Sequence, residues 1–133
     1  MEITRRTDYA IRILLELARV GGGPLSVREI AERGEVPYTF ARGIQRDLLG
    51  AGLVDSRRGA KGGIALARPA ADITLLDIVD ATQPGGTSCA VCARDPKWCS
   101  RMKDCQVHKV WSDLDALVRD QLRGKTLAGL VGK

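Results

Sequence analysis

The stretch "SVREIAERGEVPYTFARGIQRDLLGAGLVDSRRGAKGGIALARP", from Ser26 to Pro69, decides the fold. Ser26 and Glu29 form a capping-box signature, in which each side chain satisfies a free backbone N–H of the first turn. This signature predicts a short helix that runs to about Arg33. The sequence "GEVP" at 34–37 then predicts a tight turn. Two short helices joined by a tight, glycine-containing turn are typical of a helix-turn-helix.

The second helix of this pair is expected to begin near Tyr38 or Thr39. Its apolar residues recur at helical spacing and are expected on a buried face: Phe40, Ala41, Ile44 and Leu48. Its polar residues fall on the other side: Thr39, Arg42, Gln45 and Arg46. Such a helix is suited to the major groove of DNA, where polar side chains meet base edges and phosphates.

A β-hairpin is expected directly after these helices. The pattern predicts short strands around 53–56 and 64–67, joined by a glycine-rich basic tip. A hairpin in this position is a wing, and glycines at its tip let the backbone approach phosphates. We expect three wing residues to contact DNA: Arg57, Arg58 and Lys61.

The remaining helices place the wing in a larger fold. Apolar residues at helical spacing predict a first helix over 7–20, and Thr74 with Asp77 caps another short helix. From about Val107 to Leu122 an apolar stripe predicts a long amphipathic helix that pairs with its copy in a homodimer. The fold class is mainly α with a small β-hairpin. It comprises a winged helix-turn-helix domain at 1–80, a cysteine-rich loop at 81–106, and a dimerisation helix and C-terminal tail at 107–133.

Composition limits the classes of function. The 133 residues carry a formal charge of +5, and residues 1–68 hold twelve Lys and Arg against eight Asp and Glu. A basic excess favours polyanionic partners such as DNA. Arg12 and Glu16 interrupt the first apolar run, so we expect no signal peptide, no membrane association and a cytoplasmic protein. Because the single histidine has no orienting partner, we expect neither an enzyme nor a small-molecule substrate.

Four cysteines and the histidine follow one another as Cys89-x2-Cys92-x6-Cys99-x5-Cys105-x2-His108. Cytoplasmic cysteines in a polar segment favour metal binding or redox chemistry over a disulfide framework. Two close ligand pairs would suit a tetrahedral zinc site. More widely spaced thiolates with a fourth nitrogen or oxygen ligand would suit an iron–sulfur cluster. A metal-free thiol switch of Cys89 and Cys92 is the third interpretation.

Several motifs together resemble the Rrf2 family of bacterial winged-helix regulators. They are "MEITRRTDYAIRILLELA", "LLGAGLVDSRRGAKGGIALARPAADITLLDIVDAT", the cysteine segment, "CQVHKVW" and "TLAGLV". The resemblance spans nearly the whole chain and is strongest to the family's iron–sulfur cluster regulators and nitric-oxide-sensing repressors. It implies a homodimer that binds double-stranded DNA at a palindromic operator and changes its affinity when the cluster is lost or modified.

The resemblance also implies a ligand set. Cys92, Cys99 and Cys105 match the family's three cysteine ligands, and Cys89 is an alternative first ligand. His108 resembles the fourth ligand of a 2Fe-2S cluster, whereas Asp8 resembles an aspartate that reaches a 4Fe-4S cluster from the partner subunit. The nearness of His108 to Cys105 favours His108 and the 2Fe-2S cluster. The alternative function is a winged-helix regulator with a structural zinc or a metal-free thiol switch.

Overall fold

The computed structural model of the protein describes residues 1–132, and Lys133 of the expected C-terminal tail lies outside them. Within these residues the chain forms seven α-helices and one two-stranded hairpin. The elements are α1 Arg5–Arg19, α2 Val27–Gly34, α3 Tyr38–Gly50, β1 Val54–Arg57, β2 Gly63–Leu66, α4 Leu75–Thr82, α5 Val91–Arg94, α6 Gln106–Arg123 and α7 Leu127–Val131. Short 3-10 turns lie at Ala70–Asp72 and Met102–Asp104. The predicted fold class is confirmed.

The first helix, α1, forms the centre of the core. It begins two residues before the predicted start because the Thr4 side chain accepts a hydrogen bond from the backbone N–H of Thr7 at 3.2 Å. A hydroxyl at this position satisfies one of the free N–H groups of a first turn. The apolar face of α1 is fully buried against α2, α3, α4 and α7.

The two helices of the helix-turn-helix form as predicted. The Ser26–Glu29 capping box is present, and Glu35 takes a left-handed conformation (φ 53°) in the turn that ends α2. On α3, Ala41, Ile44 and Leu48 are buried as predicted. The prediction for Phe40 is wrong: 37% of Phe40 is exposed. It lies in the first turn of α3, at the rim of the core, where its ring packs edge-on against Tyr9 with the centroids 5.2 Å apart.

The wing is an antiparallel hairpin whose register pairs Val54 with Leu66 and Arg57 with Gly63. Both strands lie within one residue of the predicted bounds. The Gly63 backbone passes so close to the chain at Leu25 that a Cβ on Gly63 would lie 2.0 Å from the Leu25 carbonyl oxygen. Since Gly63 also has a φ of 145°, only glycine allows the returning strand to pack here.

The chain returns to the winged domain after α6. The backbone N–H of Leu127 donates to Ile73 O, and that of Leu75 donates to Lys125 O, both at 2.9 Å. Leu127 is completely buried in the same core as α1. Helix α7 falls within the segment 107–133 that is expected to form the dimerisation helix and C-terminal tail, and it packs on α1.

The longest helix, α6, has no buried residue along its 18 residues. Four residues of the predicted apolar stripe stay open to solvent: Val107, Val110, Leu114 and Leu117 are 57%, 56%, 40% and 68% exposed. The other three, Trp111, Val118 and Leu122, are half-buried. Within the protomer α6 packs mainly against α4 and α5. None of the helices in residues 1–132 combines the length and hydropathy that crossing a membrane requires.

Candidate nucleic-acid interface and metal centre

Helix α3 presents its predicted contact residues on the side away from the core. Thr39, Arg42 and Arg46 are exposed, and Gln45 is half-buried. The buried residues of α3, Ala41, Ile44 and Leu48, follow one another at spacings of three and four. Arg42 and Arg46 are four residues apart and therefore share the opposite face of the helix. The structure therefore brings the four predicted α3 residues to one side of the helix, with Gln45 at its edge.

Arg6 of α1 holds α3 in position. Its Nε donates to Asp47 Oδ2 at 2.7 Å, and its second guanidinium nitrogen donates to the Gly43 carbonyl at 3.0 Å. Two hydrogen bonds from one planar group fix both distance and orientation. The contact face of α3 is thus oriented by α1 as well as by its own buried residues.

The wing carries the other three predicted contact residues at its tip. Arg57, Arg58 and Lys61 are all exposed. In residues 1–132, the ion pairs involve none of the five cations predicted for α3 and the wing. Cations without an internal partner remain available to neutralise phosphates.

The cysteine segment contains more regular structure than the loop that was predicted. Cys92 lies in the single turn of α5, and a 3-10 turn precedes Cys105. All four cysteines are free and half-buried. Cys105 is the N-cap of α6, and its Sγ accepts a hydrogen bond from the backbone N–H of His108 at 3.4 Å. Local helix geometry therefore brings Cys105 and His108 together.

The two alternative fourth ligands differ in their surroundings. His108 Nδ1 is buried and has no hydrogen-bond partner. A buried polar atom without a partner is rare and costly, and a metal bond is one way to satisfy it. Asp8, in contrast, pairs with Arg12 at 3.3 Å on the exposed side of α1. The donor chemistry of the segment, four thiols and an unsatisfied imidazole nitrogen, fits an iron–sulfur cluster.

The thiols themselves do not converge in the isolated protomer. Among residues 1–132, no three His, Cys, Asp or Glu side chains lie close enough together to hold a metal ion. Cys89 lines a pocket of about 420 Å³ together with Thr4, Gln83 and Arg94. The structure thus brings Cys105 next to the His108 backbone, but it does not assemble three of the predicted ligands at one place in residues 1–132.

A polar clamp of Asp80, Thr87, Asp115 and Arg119 attaches the start of the cysteine segment to the winged domain. Arg119 of α6 donates two hydrogen bonds to the Asp80 carboxylate, at 3.0 and 3.2 Å. It also donates to the buried Thr87 hydroxyl at 3.4 Å, and Thr87 donates to Asp115. The hydrogen bond with Asp80 raises the pKa of Arg119, so this guanidinium stays charged.

Sequence reasoning missed the clamp. Thr87 and Asp115 are 28 positions apart, and Asp80 and Arg119 are 39 apart. Each residue alone is an ordinary polar residue of a cap, loop or helix. Since no local spacing relates them, the sequence contains no signal for the clamp without the tertiary fold.

A helix-turn-helix with an exposed basic face, followed at once by a basic hairpin, defines the chain as a winged-helix DNA-binding protein. Comparison with protein families gives the particular group. A family model described as "Rrf2: Iron-dependent Transcriptional regulator" matches residues 3–133, and the chain belongs to this family.

Individual relatives agree with this assignment. The chain is 32% identical over 132 residues to protein rrf2 of Nitratidesulfovibrio vulgaris, covering 98% of this chain and 87% of the relative. It is 46% identical over 68 residues to the HTH-type transcriptional repressor NsrR of Streptomyces coelicolor. This match covers 50% of this chain and 46% of NsrR. That match spans about half of each protein.

Solved structures share the fold. CymR, the global cysteine regulator of B. subtilis, superposes with a TM-score of 0.77 at 28% identity, covering 98% of this chain and 96% of CymR. T. potens IscR gives the same TM-score and identity, covering 98% of this chain and 86% of IscR. The family is described as one of transcriptional regulators and NsrR as a transcriptional repressor, which confirms the expectation that the chain is not an enzyme.

Proposed function

We propose that this Rrf2-family regulator is a homodimer that binds a palindromic operator in double-stranded DNA. We further propose that it senses iron–sulfur cluster status, redox state or nitric oxide through a cluster held by the cysteine segment. The observation that carries the cluster assignment is the buried, unsatisfied Nδ1 of His108, one turn from the Cys105 thiol.

The DNA-binding surface of the proposal is α3 with the wing. Its residues are Thr39, Arg42, Gln45, Arg46, Arg57, Arg58 and Lys61. Support comes from the exposure of the five cations and from the absence of internal ion pairs to any of them in residues 1–132. The α3 residues would meet base edges and phosphates, and the wing residues would meet the backbone.

The homodimer of the proposal uses the apolar stripe of α6. Four large apolar residues at helical spacing are each at least 40% exposed there. A self-complementary stripe favours a two-fold interface, since the same patch serves both copies. A two-fold dimer presents two α3 helices to successive major-groove faces, which is why the operator is expected to be palindromic.

The cluster ligands of the proposal are Cys92, Cys99, Cys105 and His108. An iron–sulfur cluster, when bound, supplies a redox-active group that reacts with oxidants and nitric oxide. Cys105 and His108 form the preorganised half of the site, and the two other thiols would have to move toward them. The ion pair of Asp8 with Arg12 favours His108 over Asp8 as the fourth ligand.

The polar clamp would connect the cluster-binding segment to the DNA-binding surface through packed elements. It joins the residues just before Cys89 to α4, and α4 packs on both α1 and α3. Coupling between two sites is typically worth about 1–3 kcal/mol, or roughly 5- to 150-fold in affinity. A small change in the position of α4 therefore suffices for regulation.

The decisive experiment is an anaerobic visible spectrum of freshly purified protein with iron and sulfide assays. We expect a coloured protein with about two irons per chain, the stoichiometry of one 2Fe-2S cluster. His108→Ala should lose or alter the spectrum, whereas Asp8→Ala and Cys89→Ser should retain it. About four irons with dependence on Asp8 would replace the 2Fe-2S assignment by a 4Fe-4S one. A colourless protein that carries zinc would overturn the cluster altogether.

A second candidate is a metal-free thiol switch. It is favoured by the likeness to Staphylococcus aureus CymR in an oxidised form, with a TM-score of 0.73 at 28% identity. In that case the anaerobic protein would hold no iron, and DNA binding would respond to oxidants with a dependence on Cys89 and Cys92. Thiol titration before and after oxidation separates the two candidates.

The DNA-binding half of the proposal has its own test. Arg42→Ala and Arg58→Ala should each weaken binding to a duplex selected in vitro with the purified protein. Affinity should fall steeply with added salt, because binding releases cations from the phosphates and added salt makes that release less favourable. Normal binding by both variants would exclude the proposed surface.

A further inference from the structure

Arg28 of α2 lies against the first residue of α3. Its guanidinium carbon is 5.1 Å from the centroid of the Tyr38 ring, within the range of a cation–π interaction. Both residues are exposed, and 43% of Tyr38 is accessible to solvent. The two side chains are among the residues that line a pocket of about 230 Å³ between α2 and the start of α3.

The position of Arg28 is notable because a carboxylate is available on its own helix. Glu32 lies four residues further along α2 and lines the same pocket. Residues at i and i+4 are close enough for an ion pair. Nevertheless, the ion pairs formed within residues 1–132 do not include Arg28, which packs on the aromatic ring instead. Its charge is therefore not neutralised by an internal carboxylate.

Tyr38 places the charge of Arg28 next to the proposed DNA-binding surface of α3. Tyr38, Arg42 and Arg46 follow one another at spacings of four, so they form a single row on α3. A helix rises about 1.5 Å per residue, which gives the row a length of about 12 Å. Arg28 of the preceding helix contacts the first member of this row.

We propose that Arg28, held by the Tyr38 ring, binds a phosphate of the DNA backbone at the edge of the groove that α3 enters. A guanidinium stacked on a ring by its flat face keeps its N–H edge free for two parallel hydrogen bonds to a phosphate. The ring also limits the side chain's rotamers before DNA arrives, which reduces the entropy lost on binding. Tyr38 is a positioning residue in this arrangement. The inference deepens the proposed DNA-binding function and rests on it.

The test compares Arg28→Ala with Arg33→Ala. Arg33 is an exposed arginine on the same helix that lies in none of the proposed contacts, so both variants lose the same net charge. Binding is measured by fluorescence anisotropy on two 30-base-pair duplexes, one selected in vitro and one of random sequence, across a series of salt concentrations.

We expect Arg28→Ala to weaken binding about tenfold on both duplexes, since the variant loses charge-assisted hydrogen bonds to a phosphate. The slope of log affinity against log salt should fall by about one, as expected for the loss of one phosphate contact. Arg33→Ala should leave the slope unchanged. Equal slopes and affinities for the two variants would overturn the proposal. A loss confined to the selected duplex would also overturn it, because it would indicate base recognition.

Tyr38 provides the second arm of the test. Tyr38→Phe keeps the ring and should bind like the original protein, whereas Tyr38→Ala should lose part of the affinity. In the double variant with Arg28→Ala, the Tyr38→Ala substitution should have little further effect, because its role is to position Arg28. Fully additive losses would contradict that role. Circular dichroism of each variant checks that α2 and α3 remain folded.

The inference and the broader function fail in different ways. If Arg42→Ala and Arg58→Ala weaken binding but Arg28→Ala does not, the inference is wrong and the DNA-binding surface stands. If none of the three affects affinity, the proposed surface is wrong as well.

Discussion

Helices α1 and α6 have similar amphipathic patterns but differ in how far their residues are buried. Both are long amphipathic helices, with 15 and 18 residues, yet α1 has five buried residues and α6 has none. Four other helices of the same chain pack on α1, whereas α6 packs mainly on α4 and the short α5. Amphipathic patterning thus specifies which face of a helix is to be buried, but not whether the covering surface lies in the same chain.

The largest expected effect lies in the core around α1. Leu14 is completely buried, so Leu14→Ala removes apolar contacts and leaves a cavity. We expect a loss of about 2–5 kcal/mol in the free energy of unfolding, measured by urea denaturation. Leu117→Ala, at a residue 68% exposed in the protomer, should cost much less once the protein is dilute enough to be monomeric. Equal losses would remove the contrast between the two helices.

The apolar stripe of α6 should instead control association. Leu114→Asp places a charge in the middle of the stripe, and we expect about 30-fold weaker dimerisation or more, as for an interface hot spot. Sedimentation equilibrium measures the change. Ala116→Asp is the control, because Ala116 is also exposed but lies about 200° around the helix from Leu114. If Ala116→Asp dissociated the dimer and Leu114→Asp did not, the interface would lie on the other face.

A smaller effect is expected where α1 meets α4. Thr82 donates its hydroxyl proton to Ile78 O at 2.7 Å, so in the buried Thr7–Thr82 pair, at 2.9 Å, Thr7 is the donor. Thr82→Val removes the acceptor and should cost about 1–2 kcal/mol of unfolding free energy. Thr82→Ser should restore most of it. The double variant with Thr7→Val should lose less than the sum, because no unpaired hydroxyl then remains between the helices.

The smallest effect should come from the clamp. Arg119 and Asp80 are partly exposed, and such ion pairs contribute about 1 kcal/mol or less. Arg119→Ala should therefore barely change thermal unfolding, but it should alter the ratio of DNA affinities with and without the cluster. Arg123→Ala removes the same charge from α6 at a local ion pair and should leave that ratio unchanged. Equal ratios for the two variants would show that the clamp transmits nothing.

The pKa of Arg119 predicts how this contribution depends on pH. Because the folded-state pKa is raised, the stabilisation is present below the unfolded-state pKa and is lost only as pH rises through the higher folded value. Both lie at strongly alkaline pH. Arg119 should therefore add no pH dependence to unfolding near neutrality, which a comparison of Arg119→Ala with the original protein at several pH values would check.

The sequence predicts well those features that are encoded over a few residues. The capping boxes at Ser26 and Thr74 form as expected, and the hairpin strands lie within one residue of the predicted bounds. Thr4 shows the limit of this approach, because the threonine cap starts α1 earlier than the apolar pattern suggests. Phe40 shows another limit, since helical spacing cannot distinguish the centre of a core from its rim.

The candidate site likewise has one part that the sequence predicts and another part that only the tertiary structure shows. Cys105 and His108 are adjacent because one turn of helix separates them, and this proximity follows from their spacing. The clamp and the Arg28–Tyr38 contact require elements that are distant in sequence or separated by a turn. Their residue types are common, so only the packing of α2, α4 and α6 reveals them.

The return of the chain at Leu127 also determines the order in which parts of the protein can fold during synthesis. Leu127 completes the core around α1, and it is translated after all four cysteines. Contacts between such distant segments close late and slow folding, since a long loop must be ordered first. The winged domain therefore reaches its final stability only after the whole cysteine segment has been synthesised.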